Sequence, residues 1–229
     1  MKALRTKICT YAIALLTSIG FATPSSAGSS DFSGIWLAGH AQMNMVAIDG
    51  TFTDSDGAAS QGVAGGFAPS AGYEFGFNLP LGPVFFVTVG YSDVSGKARI
   101  GTANAAPGTN NADVTLHASD PSGYYIAPSM SIFDNSAVYV KFGQQSADLK
   151  AIGNVAGSPN NVDGDLWAVG TTSIANNGLF FKTEAGAVQW DQFKITGIGG
   201  TGDADAPNTS TVEGNPLVGY GHVSIGYKF

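Results

Sequence analysis

Apolar residues recur at every second position along most of the chain, in segments of about ten residues or more, with small or polar residues between them. The last segment is the clearest: Leu217, Gly219, Gly221, Val223, Ile225, Tyr227 and Phe229 share one face, and Val218, Tyr220, His222, Ser224, Gly226 and Lys228 the other. Near the start, Ile35, Leu37, Ala41, Met43 and Met45 alternate with Trp36, Ala38, His40, Gln42 and Asn44. In a second segment Phe67, Tyr73, Phe75, Phe77 and Leu79 alternate with Ala68, Ser70, Gly72, Glu74, Gly76 and Asn78. Further strands are predicted at about 84–93, 122–133, 137–146, 165–175 and 179–190, eight in all. The faces of 165–175 are too weakly patterned to assign. One apolar face per strand, against small and polar residues on the other, is the signature of a wall with lipid outside and a lumen inside.

The connections carry a second rhythm. Short, turn-forming links fall at Pro80-Leu81-Gly82-Pro83, Asp134-Asn135-Ser136 and Asn176-Asn177-Gly178. Long ones rich in Gly, Asn, Asp, Thr and Ser fall at about 48–64, 94–121, 147–164 and 191–215. Long and short alternate without exception, as expected of an all-β, transmembrane, antiparallel up-and-down β-barrel of eight strands, with long extracellular loops and short periplasmic turns. Val114-Thr115-Leu116-His117 still alternates inside a long link, which predicts a hairpin continuing above the membrane; His117 itself is expected in an external loop. Pro69 and Pro128 fall inside proposed strands, where a closed barrel has no edge to accommodate a missing N–H, so a bulge or a displaced boundary is expected there.

Residues 1–27 differ in kind. Lys2, Arg5 and Lys7 precede an apolar run from Ile8 to Phe21, followed by Pro24-Ser25-Ser26-Ala27, the pattern of a secretory signal peptide cleaved after Ala27. The domain reading is therefore a signal peptide over 1–27 and an outer-membrane barrel over 28–229. Cys9 is the only cysteine and lies in the leading segment, so no disulfide is expected in the exported chain. Three of the ten basic residues and none of the seventeen acidic ones lie in 1–27, leaving seven against seventeen, a net charge of −10. A nucleic-acid surface is excluded by that balance. No later apolar run is long enough for a helical span, and closed barrels are the other way across a bilayer.

The eight alternating segments, the loop rhythm and the ending resemble the small OmpA/OmpX-like outer-membrane barrels, opacity-type surface proteins among them. Gly221 to Phe229 looks like the terminal signal read by the outer-membrane insertion machinery, with Phe229 last and Tyr227, Ile225 and Val223 at alternate positions before it. The resemblance implies lipopolysaccharide and outer-membrane lipids as surroundings, and a lumen blocked by ion pairs.

Four charged residues fall on predicted lumen faces: Glu74, Lys141, Lys182 and Glu184. A charge facing lipid near mid-bilayer would cost about 2–4 kcal/mol, so energetics turns the four inward. They read as a packed polar core or, alternatively, a gated ion path. His40 and His222 face inward on the first and last strands, which must pair to close the barrel. Two imidazoles could bind metal or respond to pH; a hydrogen-bonded lumen pair is the plainer expectation, and no metal site is assigned. His222-Val223-Ser224 is similar to the His-x-Ser motif of the outer-membrane lipid A deacylase, but no acid follows Ser224 and both residues face the lumen, so no catalytic residues and no enzyme are expected. Acidic clusters at Asp54-Ser55-Asp56-Gly57, Asp163-Gly164-Asp165 and Asp203-Ala204-Asp205 lack the spacing of a dedicated calcium loop. No phosphate-binding loop or other cofactor motif is present. The expected function is a structural anchor whose external loops meet an extracellular ligand, with a narrow porin as the alternative and a lipid-modifying enzyme behind both.

Overall fold

The computed structural model describes residues 28–53, 57, 59–95, 97–105, 112–152, 161–196 and 211–229; the predicted export segment lies outside them. A four-residue helix α1 (Ser29–Phe32) leads into β1 (Gly34–Thr53), β2 (Ala59–Pro80), β3 (Phe85–Ser95), β4 (Lys97–Ala105), β5 (Ala112–Phe133), β6 (Ser136–Ile152), β7 (Asn161–Ile174), β8 (Leu179–Trp190), β9 (Phe193–Thr196) and β10 (Thr211–Lys228). All pairings are antiparallel, in the order β1-β2-β3-β5-β6-β7-β8-β10, and β10 pairs back onto β1 from Trp36↔Lys228 to Thr53↔Thr211. The sheet is thereby closed. β4 continues the β3 wall along β5, and β9 continues the β8 wall along β10, so the barrel has eight wall strands.

Closure follows from the alternation. Odd-numbered residues of β1, such as Ile35 and Met45, are exposed, while Trp36, Ala38, His40 and Asn44 are buried. Phe67, Tyr124, Val169, Phe181 and Ile225 continue the exposed apolar surface around the wall. A belt of that extent is untenable in water and is what hydrocarbon solvates. No described helix is long and apolar enough to cross a membrane. In β7, whose faces the sequence left open, Leu166 and Ala168 point inward and Trp167 and Val169 outward. Its outer face then turns polar at Thr171 and Ser173, which is why the pattern was weak.

The segments expected as long loops are largely strand. β1 and β2 pair out to Thr53↔Ala59, β5 and β6 to Thr115↔Ile152, β6 and β7 to Asp148↔Asn161. His117 lies in β5, opposite Arg99 and Lys150. The cause is a reversal of polarity at constant phase. Beyond the belt the outer positions become Asp49, Asp148, Lys150, Asp163 and Lys194, while the inner ones become Val46, Ile48, Leu149, Val162, Phe193 and Ile195. The top of the barrel is thus a water-facing sheet structure with its own apolar core. Reading only for apolar outer faces makes such segments look like loops.

Both awkward prolines have structural answers. Pro69 lies beyond Ala71↔Ser95, the last β2–β3 partners among the described residues, and is paired there with Met43 of β1. At Pro128 the β5–β6 ladder is interrupted between Ile126↔Phe142 and Ser129↔Tyr139. Between Ser119 and Ser122 β5 carries a bulge, with Asp120 at φ +50°, where the wall passes into the external extension.

Candidate functional site

The lumen at mid-height holds the predicted charges. Glu74 comes from β2, Lys141 from β6, and Lys182 and Glu184 from β8. Lys182 Nζ donates to Glu74 Oε1 at 2.7 Å, and Lys141 Nζ donates to both oxygens of Glu184 at 2.9 and 3.1 Å while lying 3.9 Å from Glu74. Two acids and two bases balance. Hydroxyls saturate what remains: Tyr125 (3.1 Å) and Ser224 (3.0 Å) donate to Glu74, and Tyr139 (2.8 Å) and Tyr220 (2.7 Å) donate to Glu184. The Lys141 ammonium also sits 4.0 Å from the centroid of the Tyr125 ring, and that of Lys182 4.6 Å from Trp36. All four charged side chains are buried. Burial of this kind is tolerable only when every charge is paired and hydrogen-bonded, as here.

Register makes room for the rings. Trp36 lies opposite Gly76, Tyr125 opposite Gly90, Tyr139 opposite Gly170, Phe180 opposite Gly226 and Tyr220 opposite Gly186. A Cβ at Gly170 would stand 2.4 Å from the Tyr139 ring, and one at Gly90 2.5 Å from Tyr125. Each glycine is the space its cross-strand ring needs.

His40 and His222 stack with ring centroids 5.1 Å apart and planes at 15°, and Tyr220 stacks on His222 at 5.9 Å. His222 Nδ1 lies 3.8 Å from Glu184 Oε1. Both nitrogens of His40 and Nε2 of His222 are buried without a hydrogen-bond partner among the described residues. No cluster of three or more His, Cys, Asp or Glu among the described residues is arranged to hold a metal. Ser224 donates to Glu74 and not to a histidine, and it is buried on the lumen side. A serine nucleophile for lipid cleavage needs a histidine base and a face toward lipid. His40 lies opposite Ser224 in register, but the serine hydroxyl is engaged by Glu74 on the lumen side.

Val223, Ile225, Tyr227 and Phe229 project outward on β10 and its end. Asp163 and Asp165 lie on the outer side of β7, Asp163 accepting from Ser146 Oγ at 2.5 Å. Residues 54–56 and 203–205 lie outside the described residues. Sequence reasoning missed the tyrosines that saturate the network, although the inward phase of Tyr125, Tyr139 and Tyr220 was a usable signal. It also missed α1, which no periodicity announces.

The closed eight-stranded antiparallel barrel with an apolar outer belt is the architecture expected from the sequence. No protein-family model matches the chain, and no curated protein matches it. Among solved structures it is similar to Ail, the attachment invasion locus protein of Yersinia pestis, at 8% identity and TM-score 0.34 over 81% of this chain and 98% of that one. It is also similar to Neisserial surface protein A, at 13% identity and TM-score 0.32 over 82% and 97%. A Pseudomonas aeruginosa FadL homologue follows at 6% identity and TM-score 0.28, over 84% and 90%.

Proposed function

We propose that this chain is exported by cleavage after Ala27 and inserted into a Gram-negative outer membrane, where its barrel is a closed anchor and its external sheet extensions are the surface that meets other molecules. One observation carries the reading: the lumen is filled while the strands run on past the belt. Paired charges block mid-height, and Val46, Ile48, Leu149, Phe193 and Ile195 pack the interior above them. An eight-stranded barrel has interior for little more than its own side chains, and here they occupy most of it. The C-terminal Val223, Ile225, Tyr227 and Phe229 serve as the signal to the insertion machinery, and outer-membrane lipids and lipopolysaccharide surround the belt. No cofactor enters this reading.

Two measurements test it. Reconstituted in planar bilayers, the protein is expected to be electrically silent; discrete channels that change when Glu74 or Lys141 is neutralised would establish the narrow porin instead. Replacing 54–58 and 197–210 by short turns is expected to leave insertion intact and to abolish binding to host cells or matrix. Retained binding would place recognition elsewhere on the molecule.

A further inference from the structure

The first described residues do not trail away from the barrel. α1 turns up into its periplasmic mouth, and Phe32 is 2% exposed, its ring stacked on Phe86 at 5.0 Å and 9°. Four hydrogen bonds tie the segment to three parts of the wall. Ser29 donates its N–H to the Pro83 carbonyl at 2.8 Å and its hydroxyl to that of Gly82, in the β2–β3 turn. The Phe32 carbonyl accepts from Asn78 Nδ2 of β2 at 2.7 Å, and the Asp31 carbonyl accepts from Lys228 Nζ of β10 at 2.5 Å. β1 and β10 are the pair that closes the barrel, so α1 reaches from β2 and its turn across β1 to β10.

Above Phe32 lies a chamber of about 30 Å³, walled by Trp36, Asn78, Tyr125, Tyr139 and Phe180 and roofed by Lys182. That is room for about two water molecules. Below lies an open vestibule between α1 and the turns at Asn135 and Asn177. Ile174 and Lys228 border both spaces, and Phe32 lines the upper one on the side toward α1.

We infer that α1 is a removable stopper, strapped across the closing seam, that shuts a preformed aromatic chamber off from the periplasm. The wall does not depend on it: the ladders of β1 with β2 and with β10 begin at Gly34 and Trp36 and include no residue of α1. The segment is four residues long and held by four hydrogen bonds and one ring, so it opens at far lower cost than the barrel unfolds. Opening exposes the chamber as far as the Lys182–Glu74 pair and no further, because the ion-paired layer above belongs to the wall strands.

Thiol labelling tests this in the whole folded barrel, since the only native cysteine, Cys9, lies in the leading segment. Ala127→Cys places a thiol in the chamber, and Ala147→Cys places one in the external core; both alanines are 3% exposed. With a charged maleimide, Ala127→Cys is expected to react at least about tenfold faster once Phe32 is also changed to Ala, while Ala147→Cys does not change. An unchanged rate at Ala127→Cys overturns the stopper, and an equal rise at both sites overturns it too, as general loosening. If Phe32→Ala fails to fold, Lys228→Met, which cuts the tie to β10 and leaves the ring, carries the same test with a smaller expected acceleration of about two- to fivefold. No acceleration there overturns the strap.

Discussion

Five inward glycines of the wall, Gly76, Gly90, Gly170, Gly186 and Gly226, each face a ring on the neighbouring strand, and three of those rings, Tyr125, Tyr139 and Tyr220, aim their hydroxyls at the buried carboxylates. Glycine in a strand is usually a loss of packing; here the cross-strand ring restores it. Gly170→Ala would force Tyr139 off its place beside Glu184, and overpacking of this kind costs about 1–3 kcal/mol. A lowered urea midpoint for the lipid-embedded barrel checks this. The charges themselves should behave as a unit. Lys182→Met alone leaves Glu74 buried and short of its nearest cation, an expected loss of about 3–5 kcal/mol. Glu74→Gln added to Lys182→Met should restore most of it, since Lys141 and Glu184 still pair. A double-mutant cycle in which the two losses simply add would show that the pair is not coupled.

At the scale of the strand, the same two-residue period serves two solvents. Within the belt apolar residues face lipid; above it the phase continues and the faces exchange, so that Asp49 looks out and Ile48 looks in. Truncation tests should separate the two regimes. Ile48→Ala opens a cavity in the external core and is expected to cost about 2–5 kcal/mol there, seen as faster protease cleavage from outside with insertion unaffected. Ile35→Ala, at a residue 61% exposed on the belt, leaves a space that lipid fills and should move the urea midpoint far less. This exchange of faces also sets the limit of what the sequence discloses. Eight one-sided segments and the inward phase of Glu74, Lys141, Lys182 and Glu184 are legible because alternation is local. The extensions at about 48–64, 94–121, 147–164 and 191–215 look like loops in the sequence because the described outer faces there, such as Asp49, Asp148 and Asp163, are polar. The pairing of Glu74 with Lys182 spans 108 positions and depends on register across the whole wall, which no local pattern carries. The stopper is too short to have a period at all.

For the whole molecule, the described parts of the interior divide into storeys: the Phe32 stopper, the aromatic chamber, the ion-paired layer with the stacked histidines, and the apolar external core. Removing one storey should not open a path. Bilayer recordings of Phe32→Ala and of Ile48→Ala, each alone, are expected to remain silent, and a steady current from either variant would show that the ion-paired layer does not seal.

The pairing of Trp36 with Lys228 joins residues from opposite ends of the described chain, and it governs how this protein comes apart. Opening the β1–β10 seam inside a bilayer strips two rows of backbone N–H and C=O groups of their partners where no water can replace them, at several kcal/mol for each group. The wall therefore has no inexpensive partly opened state within the membrane. Its failure under heat or denaturant should be cooperative at the belt and gradual only at the top, where water can receive a fraying strand. Amide exchange would record this as slow, uniform protection from Leu37 to Met45 and progressively faster exchange toward Thr53 on the same strand.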